Sequence, residues 1–557
     1  MSRARQQWGW AALLVAANWF ANFLHFRGMG LYEDDWYFVG YAFTASFKQW
    51  MVDCLWNQWS IPAASVGRPF QFLFSFSFAE IGALANSLAV DYVIAFLASS
   101  LAALLMYRML TRRFGMLPAG LATLLFVISP LHTLHQSLIY QFSLGPAFSL
   151  LFGAMMLYVA GRKRWSYFLA VLSLLTYESV YFLFLAAPLM RRGRMWQGRR
   201  REWLAHLAMC SLIVAGYYAF RMFTGEARVT SLPHGRELLE KVVSTWLVYM
   251  ANSFAPYYYA ALRAWREGNV ESWFYASAFG AAAAALAHRA APKRRVRWLA
   301  NLVRPAMVGL VFLALGFLLA YFVLLEPTPR LPFTDRNTRA SLAASFGSSV
   351  LVAALLCGLL RRVSLAAVSA AGIAILFAYA FLLQQDYVKD WAMQAATVRQ
   401  FMALTPDVAE DSILILRFPS VDPSLAGQPA IGADQDGFDE VIKHTFSRSQ
   451  KLPTLFIVVS DDWPNYLQRT PDGFLEWKAP FFPGRWYASS GRYRPGRFIV
   501  LDEQTRGHMV RKNDPMMVAG QQIVQQAPPV TPESKLWTSL QRTPLYGKLL
   551  PQGTPLR

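Results

Sequence analysis

The sequence is dominated by apolar runs, each close to ~20 residues long, that alternate with short basic clusters. A run of this length can cross the hydrocarbon of a bilayer as an α-helix, which satisfies its own backbone hydrogen bonds there. The composition agrees, because 55% of the residues are hydrophobic and only 15% are charged. The sequence therefore predicts a polytopic α-helical membrane protein.

The first apolar run, 8–26, follows Arg3 and Arg5 and contains no small-residue cleavage site. It predicts an uncleaved transmembrane helix with a cytoplasmic N-terminus. Further crossings are predicted near residues 88–107, 117–133, 142–160, 203–221, 271–289, 301–325, 341–360 and 364–384.

The formal net charge of +20 could indicate a nucleic-acid partner, but the basic residues fall between the apolar runs. That arrangement is typical of the positive-inside rule, so we place these clusters in the cytoplasm and expect no nucleic acid. The cysteines Cys54, Cys210 and Cys357 are far apart in sequence, and we interpret them as packing residues.

The apolar stretch 165–190 has basic clusters on both sides, which a single crossing would put on opposite faces of the membrane. Two short helices that meet at "TYES", residues 176–179, keep both flanks cytoplasmic. Glu178 then lies at the tip of a half-depth hairpin and becomes a functional candidate; the alternative is a residue that caps a kink or pairs with an Arg. The stretches 68–85 and 241–262 are predicted as outer-face interfacial helices, which leaves about 11 crossings.

The composition changes after residue 385. The runs "SILILRF", "TLFIVVS" and "RFIVLDE" predict β-strands separated by loops and by helix-compatible pieces such as "FDEVIKHTF". We predict a transmembrane module over 1–385 and a soluble extracytoplasmic α/β or α+β domain over 386–557, with a mobile tail from Gln526. The pair Asp461 and Asp462 in a second "DDW" is interpreted as a turn.

Three acids, Glu33, Asp34 and Asp35, follow the first apolar run beside aromatic residues. Adjacent carboxylates repel each other, so one of them needs a shifted pKa or a cationic partner. Such a group suits either a general base or ligands for a divalent cation, Mg²⁺ or Mn²⁺. The alternative is a solvated acidic loop.

Other polar residues are predicted on the same outer face. Glycosyl transfer from a lipid phosphate needs a base for the acceptor hydroxyl and cations or donors for the departing phosphate. The candidates for donor and phosphate binding are Arg68, His132, His135, Glu178, Arg336 and Arg339. Each residue taken alone could also be a snorkelling or capping residue.

The order of these motifs resembles the GT-C superfamily of integral membrane glycosyltransferases, which includes protein O-mannosyltransferases and bacterial lipid-dependent sugar transferases. The resemblance covers residues 1–385 and is carried by "EDDW", "GRPFQFLFSFSF", "LLFVISPLHTLHQS" and "LSLLTYES" in that order, and more loosely by "TDRNTRASLA". Relatives have a Lys just before the Glu of the helix break, and this chain does not. We therefore expect Arg336 or Arg339 to contact the phosphate.

The resemblance implies an inverting transferase in a bacterial cytoplasmic membrane. It would take a sugar from a polyprenyl-phosphate or polyprenyl-diphosphate donor and pass it to a glycan, lipid or protein acceptor on the outer face, with Asp34 as the base. A transporter or flippase of lipid-linked sugars is the alternative from another class. A polysaccharide polymerase or ligase of another fold and a non-catalytic scaffold are further alternatives.

Overall fold

The computed structural model describes residues 3–32, 35–43, 48, 51–52, 67–191, 200–223, 236–290, 298–318, 336–405, 413–417, 454–458, 467–473, 475–477, 492–493, 498–505, 508–512, 516–518 and 521–523. The described residues are mostly helical, which agrees with the predicted helical class. Two compact units are present: the helical unit, Met1–Arg27, Phe47–Gly82 and Leu88–Asp386, and the second unit, Gly28–Ser46, Ala83–Ser87 and Tyr387–Arg557.

The helices coincide with the apolar runs. Those before residue 192 are α1 (Arg3–Asn18), α2 (Pro69–Leu84), α3 (Leu88–Phe114), α4 (Met116–Val127), α5 (Leu138–Val159), α6 (Lys163–Thr176) and α7 (Glu178–Tyr181). Those after residue 199 are α8 (Arg200–Phe223), α9 (Arg236–Asn252), α10 (Ala255–Glu267), α11 (Val270–Ala290), α12 (Trp298–Gly316), α13 (Leu342–Leu359) and α14 (Arg362–Leu404).

Five helices among the described residues are long and apolar enough to cross a membrane: α3, α5, α8, α13 and the stretch Arg362–Phe401 of α14. Shorter apolar helices lie at Met116–Val127, Glu178–Met190 and Val303–Gly316. The first apolar run falls below this length because α1 gives way to a π-helix at Trp19–Phe23 and, further on, to a 3₁₀ turn at Phe26–Gly28. The total of about 11 crossings stays a prediction.

The core of the helical unit is built by α3, α4 and α5, with α1 against α3 and α4, and α13 against α4 and α12. The π-helix after α1 is held by amide side chains from distant helices. Gln384 Nε2 donates to the carbonyl oxygens of Phe20 and Ala21 at 3.2 and 3.1 Å, and Gln136 Nε2 donates to that of Asn22 at 3.4 Å. Carbonyls that the widened turn releases are thus satisfied inside the apolar core.

The two stretches for which interfacial helices are predicted are both helical. Residues 68–85 form the single helix α2. Residues 241–262 instead contain the end of α9 and most of α10, because the chain turns at Ser253–Phe254 and Pro256 occupies the first turn of α10, where a proline fits.

The second unit contains the predicted strands. The sheet has the order β2–β1–β6–β7, in which β1 (Ile413–Arg417) lies parallel to both β2 (Thr454–Val458) and β6 (Phe498–Thr505). β7 (His508–Arg511) is antiparallel to β6. β3 (Leu467–Arg469), β4 (Leu475–Trp477) and β5 (Arg492–Tyr493) form an antiparallel sheet, and β8 (Met516–Val518) pairs with β9 (Gln521–Ile523). The tail from Gln526, "FDEVIKHTF", Asp461 and Asp462 lie outside the described residues.

Candidate functional site

Three ionisable side chains meet inside the helical unit, and we call Arg68, Glu178 and Arg221 the charged cluster. Their exposed fractions are 8%, 2% and 7%. Arg68 directly precedes α2, whose first residue is Pro69, and Arg221 lies in the last turn of α8. The chain breaks at Tyr177, which is extended with φ −156° and ψ 104°, so that Glu178 begins α7. The predicted break in "TYES" is therefore present.

Arg68 and Glu178 form a two-pronged ion pair. Arg68 Nε donates to Glu178 Oε2 and Arg68 Nη2 donates to Glu178 Oε1, each at 2.5 Å. The remaining terminal nitrogen donates to Gln71 Oε1 at 3.3 Å, and the guanidinium lies 4.5 Å from the centre of the Tyr177 ring. Paired donors and acceptors of this kind fix the position of both side chains.

Arg221 was not among the candidate site residues that we identified from the sequence. Its Nη1 lies 3.9 Å from Glu178 Oε1, close enough for an ion pair but too far for a hydrogen bond. Gly67 has φ +70°, and a Cβ there would lie 2.8 Å from the Arg221 side chain, so only a glycine lets the backbone turn against it. Two guanidinium groups thus lie close to one buried carboxylate.

His132 and His135 lie in the loop between α4 and α5, residues 129–137, which we call the histidine loop. Their ring centroids are 4.4 Å apart. Among the described residues, neither ring nitrogen of His135 has a hydrogen-bond partner, and Nδ1 of His132 has none. The loop itself is fixed, because Tyr92 Oη donates to the carbonyl oxygen of Gln136 at 3.2 Å and Gln141 Nε2 donates to that of Leu134 at 3.1 Å.

Both imidazoles are neutral at pH 7. Burial lowers the pKa of His135 to about 4. Burial and the neighbouring His135 together lower the pKa of His132 well below its ordinary value. Either ring would therefore contact a phosphate or a hydroxyl as a hydrogen-bonding group and not as a cation.

The segment that carries Arg339 docks on the histidine loop. Thr133 N donates to Thr338 Oγ1 at 3.3 Å, and the two threonine hydroxyl oxygens are 3.1 Å apart. Arg339 Nη1 donates to Tyr140 Oη at 2.7 Å, at the start of α5. Arg336 begins the same 3₁₀ turn, Arg336–Ser341, and its side chain lies outside the described residues.

The acidic motif belongs to the second unit, and Glu33 and Asp34 lie outside the described residues. Asp35 is fully buried, and its Oδ2 accepts a hydrogen bond from Tyr32 N at 3.1 Å. Tyr32 Oη donates to the carbonyl oxygen of Tyr387 at 2.8 Å. A Cβ on Gly30 would overlap the indole of Trp391, so this loop packs with its backbone directly against an aromatic ring. These contacts give Asp35 a role in shaping the loop.

Within the described parts of the chain, no group of three or more His, Cys, Asp or Glu side chains could hold a metal ion. Comparison of the sequence and the structure with protein-family models, curated proteins and solved structures gave no match.

Proposed function

We propose that this protein is an inverting glycosyltransferase of the GT-C type. It would transfer a sugar from a polyprenyl-phosphate or polyprenyl-diphosphate donor to a glycan, lipid or protein acceptor at the outer face of a bacterial cytoplasmic membrane. The observation that carries the proposal is the charged cluster, in which two arginines approach one glutamate among apolar helices. Ionisable groups buried in a membrane protein are costly and mark sites of function.

The donor chemistry follows from that cluster. Guanidinium groups match a phosphate in shape and charge, and they stabilise the negative charge that collects on the phosphate as the sugar leaves. Glu178 orients Arg68 by its two-pronged contact. The first-loop acids supply the base: we assign proton abstraction from the acceptor hydroxyl to Asp34 and the positioning of its loop to Asp35.

The proposal includes the remaining predicted features of the architecture: about 11 crossings, an N-terminus in the cytoplasm and an extracytoplasmic domain over 386–557. The neutral imidazoles of His132 and His135 suit hydroxyl groups of the sugar as well as oxygen atoms of the phosphate.

The test compares cells that carry the wild-type protein, Asp34→Asn, Glu178→Gln or the control Glu240→Gln at matched membrane levels. Glu240 forms an exposed pair with Arg236 on α9, so its variant should behave as wild type. We expect Asp34→Asn and Glu178→Gln to abolish one glycan modification and to raise the level of its lipid-linked sugar. Unchanged glycans in both variants would refute the proposal.

A flippase for the same lipids is the second candidate, because the charged cluster is buried among helices as it would be in a transport path. The sidedness of the accumulated lipid separates the two functions. A transferase variant leaves the lipid-linked sugar on the outer leaflet, whereas a flippase variant leaves it on the inner leaflet.

A further inference from the structure

One end of the helical unit is organised around the carboxylate of Glu202, in the first turn of α8. Lys163 Nζ lies 3.6 Å from Glu202 Oε1, and Arg191 Nη1 donates to the same oxygen. Tyr158 Oη, in the last turn of α5, donates to it at 3.4 Å. The end of α5 and the beginnings of α6 and α8 therefore meet at this carboxylate.

These contacts bring together basic residues that the sequence divides between two clusters. The cluster "GRKR" supplies Lys163 and both of its basic neighbours, and the cluster from Arg191 supplies its first residue and the two that directly precede Glu202. We call the following residues the basic patch: Arg162, Lys163, Arg164, Arg191, Arg200 and Arg201. Six cations thus surround one carboxylate, which gives a formal charge of +5.

Most of this charge has no counter-charge from the chain itself. Between residues 92 and 225 the sequence contains two acids, Glu178 and Glu202. Glu178 belongs to the charged cluster, and Glu202 contacts two members of the basic patch. Four members are exposed and form no ion pair with any residue in the described part of the chain: Arg162, Arg164, Arg200 and Arg201.

Aromatic residues beside the basic patch indicate that it lies at the level of the lipid headgroups. Trp165 directly follows Arg164 and is 63% exposed, and its ring lies edge to face with the exposed Phe168 at 5.9 Å. Exposed tryptophans are enriched at the boundary between membrane and water. Both α5 and α8 are long and apolar enough to cross a membrane, so arginines at these helix ends reach the headgroups of the adjoining leaflet.

We propose that the basic patch binds an anionic phospholipid with two phosphate groups, a diphosphatidylglycerol, in the leaflet that adjoins it. Guanidinium groups pair with phosphate oxygens through parallel hydrogen bonds, and basic sites between membrane helices suit such headgroups. One pair of exposed arginines flanks Lys163 at the start of α6, and a second pair precedes Glu202 at the start of α8. Each phosphate is therefore held by the arginines of one helix.

A lipid bound in this way links α8 to α6. The buried side chains of α8 are His206, Cys210 and Arg221, so few contacts hold this helix to the rest of the unit. The two phosphates offset the mutual repulsion of the cations at the starts of both helices. The proposal does not depend on the proposed function, because neither a sugar donor nor an acceptor takes part.

The experiment uses the full-length protein in detergent micelles, stripped of lipid and titrated with one phospholipid at a time. The probes are tetraoleoyl diphosphatidylglycerol, dioleoyl phosphatidylglycerol and dioleoyl phosphatidylcholine, and native mass spectrometry measures the bound fraction. We expect diphosphatidylglycerol to bind about tenfold more tightly than phosphatidylcholine, with phosphatidylglycerol between them. Added salt should weaken the binding of diphosphatidylglycerol, because the arginines are exposed to solvent.

Variants locate the site on the basic patch. The double variant Arg200→Gln with Arg201→Gln should lower the affinity for diphosphatidylglycerol about thirtyfold, since one basic residue near an anionic surface accounts for about fivefold. Replacement of both residues by Lys should retain part of the affinity. The double variant Arg162→Gln with Arg164→Gln repeats the test on α6, in case the first pair disturbs the start of α8.

The control is Arg266→Gln on α10. Arg266 is also exposed and also lies beside an exposed tryptophan, Trp265, but the acid Glu267 follows it directly and no other basic residue is adjacent. Its replacement should leave the affinity for diphosphatidylglycerol unchanged.

Three results would overturn the proposal. The first is equal affinity for diphosphatidylglycerol and phosphatidylcholine, and the second is equal affinity for diphosphatidylglycerol and phosphatidylglycerol, which would remove the role of the second phosphate. The third is that both double Gln variants behave like Arg266→Gln, which would reduce the patch to ordinary interfacial arginines. None of these results bears on the glycan assay of Asp34→Asn, so the transferase and the lipid site stand or fall separately.

Discussion

Replacement of Glu178 by Gln should lower the free energy of unfolding by an amount that can be worked out from the structure. The side chain keeps its shape but loses its charge, so Arg68 and Arg221 are left close together in a buried site. A unit charge 3.9 Å away, the distance to Arg221, interacts with roughly 4 kcal/mol at an effective dielectric constant of 20. Breaking a buried pair by removal of one partner costs about 3–5 kcal/mol, and we expect Glu178→Gln to destabilise the fold by that amount.

The assay is the free energy of unfolding in mixed micelles, measured from tryptophan fluorescence as a denaturing detergent is titrated. The control is Glu240→Gln, which removes the same charge from the exposed Arg236 pair and should cost less than about 1 kcal/mol. A cost for Glu178→Gln no larger than that of the control would refute the reasoning, because the cluster would then be solvated.

A triple replacement separates stability from binding. Arg68→Met, Glu178→Leu and Arg221→Met together remove all three charges, and an apolar replacement of a buried ion cluster is often neutral or stabilising by about 1–4 kcal/mol. The triple variant should therefore fold at least as well as Glu178→Gln while it loses the glycan modification in the cell assay of the proposed function. A retained glycan modification would contradict the assignment of the cluster to the donor phosphate.

Three further predictions concern the histidine loop, the acid loop and the turn before α2. The His135 pKa of about 4 lies below the value near 6.5 of an unfolded chain, so protonation favours the unfolded state. The contribution of His135 to the free energy of unfolding is therefore complete above pH 6.5. It should fall by up to about 1.4 kcal/mol per pH unit as the pH drops toward 4, as measured by thermal unfolding. Gly30→Ala should cost about 1–3 kcal/mol by the same unfolding assay, because the new Cβ forces the Trp391 indole to move. Gly67→Ala should lower the glycan modification in the cell assay of the proposed function, because it strains a φ of +70° and displaces Arg221.

Each of these predictions has a matched control. The variant His135→Gln should reduce the slope of stability against pH and leave the part that His132 contributes, because the pKa of His132 is lowered too. An unchanged slope would contradict the contribution of His135. For both glycine variants the control is Gly372→Ala on α14, where a Cβ meets no atom within 4 Å and a small stabilisation is expected. Gly30→Ala or Gly67→Ala behaving like Gly372→Ala would contradict the close contacts at Trp391 and Arg221.

The helices could be predicted because every helix that crosses a bilayer needs about 20 mostly apolar residues. Apolar length located α3, α5, α8, α13 and α14, and the basic flanks of 165–190 located the break beside Glu178. The short apolar runs around residues 413, 454 and 498 likewise located β1, β2 and β6. These features depend on short stretches of sequence, so a single chain reveals them.

The partners of the polar residues could not be predicted, because they come from distant parts of the chain. Arg221 ends an apolar run, and in the sequence it is indistinguishable from an interfacial anchor; only the fold brings it to Glu178, 43 positions away. Nothing in "SPLHTLHQS" shows that His132 is buried, that the ring nitrogens of the partly exposed His135 are buried, or that both rings are neutral. The proline at 256 was the available signal that 241–262 holds two helices.

The close contact between α12 and α13 affects the order in which helices separate when the protein is denatured in detergent. Gly309 and Gly347 place the backbone of each helix against that of the other, so that a Cβ at either position would overlap Leu351 or Leu313. In lipid such close contact is a main source of helix association, whereas a Cβ at Gly216 of α8 would meet no described atom within 4 Å. During extraction with increasingly harsh detergent, α8 should become accessible to protease first, while α12 and α13 remain a protected pair.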